Sequence, residues 1–153
     1  METKVQNKAL KHLNKILNGE EIAVESFEHF LTSLPKDSSI WDEFKNVKQI
    51  HKQNIDMIEE RLIEDGVAPS HKPGILGSIS GIAQNMRKMA GEAQLDILKE
   101  AVNALKMCVT DGEKILSEID DEDILEFANY ILDRDKLNLM VIERMLAKQL
   151  AFV

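Results

Sequence analysis

Five residues that could bind a cation or form buried ion pairs occupy central positions of predicted helices: Glu20, Lys48, His51, Asp135 and Asn138. His51 lies in the middle of an apolar helix face, and Lys48 lies one turn earlier on its flank. Carboxylates and imidazole are ligands of transition metals, whereas an ammonium group can pair with the same carboxylates. Because burying a lone charge is costly, such side chains need partners. The sequence therefore predicts a polar cluster inside the core, held together by ion pairs or by a metal ion.

The composition is typical of one globular domain with its own core: 153 residues, 44% of them hydrophobic and 30% charged. The formal net charge of -8 argues against nucleic acid as the main partner, because phosphate binding needs a basic surface. Cys108 is the only cysteine, which excludes an internal disulfide and a thiolate-rich metal site. No apolar segment approaches the roughly 20 residues of a membrane span, and we find no signal-peptide core. We therefore expect a cytoplasmic protein without a membrane span.

Apolar residues recur three and four positions apart along most of the chain, the period of helices that face a common core. Alternation with a period of two is absent, so no strand is predicted. We expect an all-α fold, with residues 1–153 forming a single domain. The pattern predicts four long helices and one short helix: a first helix up to about Ser33, a second over Trp41–Asp65, a short one over Ile75–Met89, a third around Leu98–Leu116 and a fourth around Ile124–Leu146.

The spacing of these elements predicts two helical hairpins joined by one long connection. Residues equally far from a hairpin turn lie side by side, and Glu20 and His51 are about equally far from the turn near Pro35. Leu105 and Asp135 are likewise about equally far from the turn at Asp120. We therefore expect Glu20, His51, Leu105 and Asp135 at one height in the middle of the bundle, with Lys48 and Asn138 within one turn of them.

The motifs resemble those of di-iron carboxylate bundles, which place a Glu on each of two helices and a Glu-x-x-His on each of the other two. The segment Gly19–Ala23 looks like the first ligand helix of rubrerythrin-type proteins. Lys48-x-x-His51 and Asp135-x-x-Asn138 stand where the two Glu-x-x-His motifs would be, and Leu105 stands in place of the third helix's Glu. The whole chain resembles a group of uncharacterised bacterial ferritin-like proteins related to rubrerythrin. The resemblance implies a ferritin-like up-down four-helix bundle with a short extra helix in its crossover and a degenerate di-iron site.

The first functional interpretation is a non-catalytic structural or interaction protein without a cofactor. Lys48 would supply the positive charge of the missing metal by pairing with Glu20 and Asp135, and His51 would bridge them by hydrogen bonds. Loss of the bridging and terminal carboxylates should remove the second metal of a di-iron site. We therefore expect no ferroxidase, peroxidase or oxygenase chemistry, and no stoichiometric transition metal in the purified protein.

The alternative interpretation keeps one metal. Glu20, His51 and Asp135 form a carboxylate–His–carboxylate set of the kind that binds iron, manganese or zinc, which would suit a role in stress or metal storage. The feature that separates the two interpretations is whether Lys48 points toward or away from Glu20 and Asp135. A third interpretation is a helical adaptor that binds another protein through an exposed groove.

Two apolar segments are candidates for self-association into a homodimer. One is the short Gly-rich amphipathic helix in the crossover, and the other is the apolar end Leu150–Val153. The sequence identifies no other protein partner.

Overall fold

The computed structural model describes residues 4–71 and 94–151. These residues form α1 over Lys4–Ser33, α2 over Trp41–Glu64, α3 over Gln94–Leu116 and α4 over Glu122–Leu150. They contain no strand, so the prediction of an all-α chain with four long helices is confirmed. The short helix predicted at residues 75–89 lies outside the described residues.

Local sequence signals set several of the helix ends. The carboxylate of Asp121 accepts a hydrogen bond of 3.0 Å from the backbone N–H of Ile124 and caps the start of α4. Gly66 follows α2 with φ of 79°, a conformation that glycine adopts without steric cost. The backbone N–H groups of Gly66 and Val67 donate to Ile63 and Leu62, respectively, which satisfies the last carbonyls of α2.

The contacts between helices define their directions. Asn14 near the start of α1 accepts a hydrogen bond from the backbone N–H of Ser70, beyond the end of α2, whereas Phe27 near the end of α1 packs against Phe44 near the start of α2. The helices α1 and α2 are therefore antiparallel. The amide of Gln94 at the start of α3 donates to Gln149 near the end of α4 at 2.8 Å, so this pair is antiparallel as well.

The two hairpins are joined so that α2 and α3 run in the same direction. Ser38, just before α2, donates a hydrogen bond of 2.6 Å to Gln94 at the start of α3, which places both starts at one end of the bundle. The helix α1 packs mainly against α2 and α3, and α3 packs against α4. Among the four described helices, α4 has small interfaces with α1 and α2, and α2 and α3 have the smallest interface of all. The connection between them consequently joins opposite ends of the bundle.

The buried apolar residues form two clusters, one toward each end of the bundle. The first lies near the α1–α2 turn and contains a group of three aromatic rings: Phe27, Phe30 and Phe44, with centroids 5.2 to 6.1 Å apart. The second, near the other end, includes Leu13, Leu17, Ile58, Leu62 and Ile131. Glu20, His51 and Asp135 lie between these clusters. None of the described helices combines the length and the apolar character needed to cross a membrane.

We predict that Gly19→Ala raises the free energy of unfolding by about 1 kcal/mol, because alanine favours a helix interior over glycine by that amount. A Cβ built at Gly19 meets nothing within 4 Å, so no packing contact opposes the gain. Urea unfolding monitored by circular dichroism measures the change.

Gly112→Ala is the matched control, because a Cβ there would approach Leu132 Cδ1 to 2.8 Å and force that buried side chain to shift. We expect Gly112→Ala to gain less stability than Gly19→Ala, or to lose some. A destabilised Gly19→Ala would contradict the open space around this position.

Candidate functional site

Four buried polar side chains meet in the middle of the bundle: Glu20, His51, Asn54 and Asp135, here called the polar layer. Their exposed fractions are 1%, 0%, 0% and 3%. The prediction that Glu20, His51 and Asp135 share one height agrees with this geometry. Asn54 was missed by the sequence reasoning, although it lies three residues after His51 on the same helix face and the helical period could have identified it.

The helices α1, α2 and α4 carry the residues of the polar layer at positions where the apolar pattern requires a core residue. Glu20 is preceded by Leu17 and followed by Val24, both buried on the same face of α1. His51 follows Val47 by one turn on α2 and faces the same interior. The helical period thus forces these side chains inward, and the apolar clusters on either side keep them from water.

Hydrogen bonds join the polar layer across three helices. His51 Nδ1 contacts Glu20 Oε2 and lies 3.3 Å from Asp135 Oδ1. Asn54 Nδ2 donates to Asp135 Oδ1 at 3.0 Å and approaches Glu20 Oε1 at 3.4 Å. The imidazole and the amide of α2 therefore hold the carboxylates of α1 and α4 beside one another.

Hydrogen bonds connect the guanidinium group of Arg134 to the polar layer. Its Nε donates to Asn54 Oδ1 at 2.7 Å, and its Nη2 donates to Gln53 Oε1 at 2.8 Å. The guanidinium also lies 5.8 Å from the centre of the Tyr130 ring. Arg134 therefore fixes the orientation of the Asn54 amide, and its positive charge also acts to lower the pKa of Glu20.

Lys48 does not join the polar layer, which corrects the predicted pairing with Glu20 and Asp135. Its Nζ lies 3.5 Å from Glu28 Oε1, and the two side chains are 23% and 51% exposed. The reason is that position 48 lies on the flank of the apolar face, from which a long side chain can extend to water and keep its charge solvated. The positive charge expected beside the buried acids is therefore placed at the surface.

Asn138 lies on α4 one turn after Asp135 and is 2% exposed, as its predicted place in the core requires. Its Nδ2 has no hydrogen-bond partner among the described residues. The same holds for His51 Nε2, the ring nitrogen that does not contact the acids. Each of these two side chains thus has a buried nitrogen whose hydrogen-bonding capacity is unused.

The residue of α3 that reaches the polar layer is Cys108, not Leu105. Cys108 Sγ lies 3.9 Å from Asp135 Oδ2, whereas Leu105 is buried in the apolar cluster around Phe27. The α3–α4 pairs Cys108–Asp135 and Gln94–Gln149 are symmetric about a point just beyond Asp121. Placing the turn at Asp120 displaced the expected α3 partner by almost one helical turn.

A cavity of about 440 Å³ between α1 and α3 extends to this region. Its inner wall includes Glu20, Cys108 and Asp135, which also form a candidate metal-binding group among the described residues. One ligand atom from each of the three lies within 4.8 Å of the other two. A small solute could therefore approach both buried acids from the α3 side.

The acids of the polar layer hold protons more tightly than usual. Burial raises the pKa of Asp135 to about 10, and the charge of Glu20 and a hydrogen bond to that carboxyl group act in the same direction. Burial also raises the pKa of Glu20 to about 7, against the opposing effects of Asp135, Asn54 and Arg134. Desolvation lowers the pKa of His51. Near neutral pH, protonation therefore reduces the negative charge of the acids, and no ammonium group in residues 4–71 and 94–151 pairs with them.

Comparison with known proteins gives no match to a family model and no match among curated proteins.

We predict that Lys48→Met changes the free energy of unfolding by less than about 1 kcal/mol, because an ion pair with an exposed partner contributes little. Asn54→Ala should cost several kcal/mol, because it removes the partner of Asp135 and Arg134 in a buried site. Thermal and urea unfolding of both variants measure the difference. A loss of unfolding free energy with Lys48→Met as large as that with Asn54→Ala would indicate that the ammonium group of Lys48 pairs with the buried acids.

We predict that the metal-free protein becomes less stable between about pH 7 and pH 9. In this interval unfolded Asp135, with a pKa near 3.8, is ionised, whereas in the folded protein its pKa is about 10 and it keeps its proton. The folded state binds more protons, so the free energy of unfolding falls as pH rises, by about 1.4 kcal/mol per pH unit for the proton on Asp135. The pKa of His51 is lowered from its unfolded value of 6.5, so its titration changes the stability only below about that pH and not between pH 7 and pH 9.

Asp135→Asn is the control, because it removes the titrating group and keeps the size of the side chain. The pH dependence of urea unfolding, measured in the presence of a chelator, should flatten in this variant. An unchanged slope would assign the effect to other groups.

Proposed function

We propose that this protein is a ferritin-like four-helix bundle that binds one divalent transition-metal ion, iron, manganese or zinc, between the carboxylates of Glu20 and Asp135. The observation that carries the proposal is the position of Lys48, whose ammonium group pairs with Glu28 at the surface. The two buried acids consequently lack the cation that the metal-free interpretation required. A bound ion would supply that charge.

The chemistry of the donor set fits a metal ion. Two carboxylates from different helices converge with an imidazole beside both, and these are ligand types used for iron, manganese and zinc. Burial raises the pKa of both acids, which reflects the cost of placing their negative charges away from water. An ion bound there would offset that cost and tie α1 to α4.

The helix directions support the ferritin-like part of the proposal. In that architecture one long crossover joins two antiparallel hairpins. Here α2 and α3 run in the same direction without a substantial interface, and their connection joins opposite ends of the bundle. The motif resemblance around Glu20, His51 and Asp135 supports the same assignment. We propose that residues 1–153 form a single domain and that the protein is cytoplasmic.

The site has ligands for one ion and not for a di-iron centre. Di-iron bundles take a carboxylate from every helix, whereas α3 offers Leu105 and Cys108 and the second α4 position is Asn138. We therefore propose a role in binding or storing a metal, including under stress, without oxidation chemistry. A homodimer remains part of the proposal: Leu150 is exposed, but residues 152 and 153 and the Gly-rich crossover segment lie outside the described residues.

A second candidate function is that of a metal-free structural or interaction protein, now without Lys48 in its core. The observation in its favour is that Asn54 donates toward both acids while Arg134 fixes the amide. A proton retained on Asp135 would leave a single negative charge in a hydrogen-bonded network. Such a network would set the register of the helices more than their stability.

We predict about one zinc, manganese or iron(II) ion per chain after the purified protein is incubated with each metal and dialysed. Asp135→Asn and Glu20→Gln should abolish binding, because each removes a carboxylate charge while preserving shape. Lys48→Met should bind as the parent does, because its ammonium group lies away from the acids. Elemental analysis and isothermal titration calorimetry measure stoichiometry and affinity. A folded parent protein that takes up none of the three metals would favour the metal-free network.

A further inference from the structure

We propose that the thiolate of Cys108, and not the imidazole of His51, completes the ligand set, so that the site prefers zinc to manganese. This inference rests on the proposed function, because it names the third ligand of that ion. Its starting point is the arrangement of Glu20, Cys108 and Asp135, with one ligand atom from each within 4.8 Å of the others. These residues come from three helices, α1, α3 and α4, that surround one point.

The cavity between α1 and α3 gives an ion access to one face of the acids. Glu20, Cys108 and Asp135 line it, whereas His51 and Asn54 do not. An ion that enters from this side meets two carboxylates and a sulfur atom. To reach the imidazole it would have to pass between the carboxylates, which already contact the ring.

His51 has a different task in this arrangement. Its Nδ1 contacts Glu20 and lies 3.3 Å from Asp135, and the side chain is fully buried. Asn54 donates to the same two acids. Both residues of α2 therefore hold the carboxylates from the side opposite Cys108, as outer partners commonly orient metal ligands. His51 is thus a positioning residue.

The sulfur atom gives the site its expected selectivity. Thiolate is a soft ligand that suits zinc and cobalt(II), whereas manganese and magnesium prefer oxygen ligands. When the ion binds, a metal–sulfur bond forms, and the protons of the Cys108 thiol and of the Asp135 carboxyl group pass to solvent, so the step needs no oxidant or reductant. His51 is fully buried, whereas Cys108 is half-buried. The two side chains therefore differ in accessibility to an ion as well as in ligand chemistry.

Cobalt(II) provides a direct test, because cobalt bound to thiolate absorbs in the near ultraviolet by charge transfer from sulfur. The parent protein loaded with cobalt(II) should show this band. Cys108→Ser should lose it and should weaken zinc binding by at least about tenfold, with little change for manganese. His51→Gln should weaken binding of both metals but keep the band, because it disturbs only the orientation of the acids.

The outcomes separate this inference from the proposed function. One cobalt(II) per chain without the sulfur band, and with unchanged affinity in Cys108→Ser, would overturn the role of Cys108 and leave the metal site standing. No bound cobalt(II), zinc or manganese would overturn both. If Cys108→Ser does not fold, the parent protein still provides a test: zinc should slow alkylation of Cys108 by iodoacetamide, whereas an unchanged rate would contradict the inference.

Discussion

Two carboxyl groups that lie side by side in an apolar interior form the constraint on which the rest of this structure depends. Glu20 and Asp135 are nearly inaccessible to water, and apolar clusters lie on both sides of them along the bundle. Like charges at such short range cannot both persist without compensation. The raised pKa values of both acids are the consequence. The molecule must therefore supply either a proton or a cation at this point.

The residues around the acids mainly fix the orientation of the two carboxyl groups and do not by themselves balance their negative charge. The amide of Asn54 and the imidazole of His51 approach the carboxylates from α2. Arg134 fixes Asn54 from the outer side of the layer. All of these contacts come from one side, which leaves the opposite side, toward Cys108 and the cavity, as the side from which a ligand can approach. This asymmetry connects the buried network to the proposed metal site.

The metal-binding and metal-free proposals differ in what balances the same negative charge. In the first, an ion lies among Glu20, Asp135 and Cys108, and α1, α3 and α4 are joined through it. In the second, a proton on Asp135 reduces the negative charge, and hydrogen bonds hold the side chains in position. Because binding of the ion requires protonated ligands to lose their protons, the two states exclude one another.

The sequence by itself determined the helical architecture and the height of the site. The apolar period specified four long helices, because it repeats over many turns and burial of one face dominates helix stability. Counting from the turn near Pro35 placed Glu20 beside His51, since a short hairpin leaves little freedom in register. The same counting failed at Leu105, because a small error in locating the second turn displaces the opposite helix by almost a full turn. The short helix predicted at residues 75–89 is outside what the structure describes.

Only the tertiary structure decided which polar groups meet. Lys48 and His51 lie one turn apart on the same helix, and periodicity places both near the core. The flexible lysine side chain can turn outward to water and Glu28, whereas the short rigid imidazole stays where its backbone position aims it. Partner choice of this kind depends on side-chain reach and on surfaces from three other helices. No local pattern in the sequence encodes those distances.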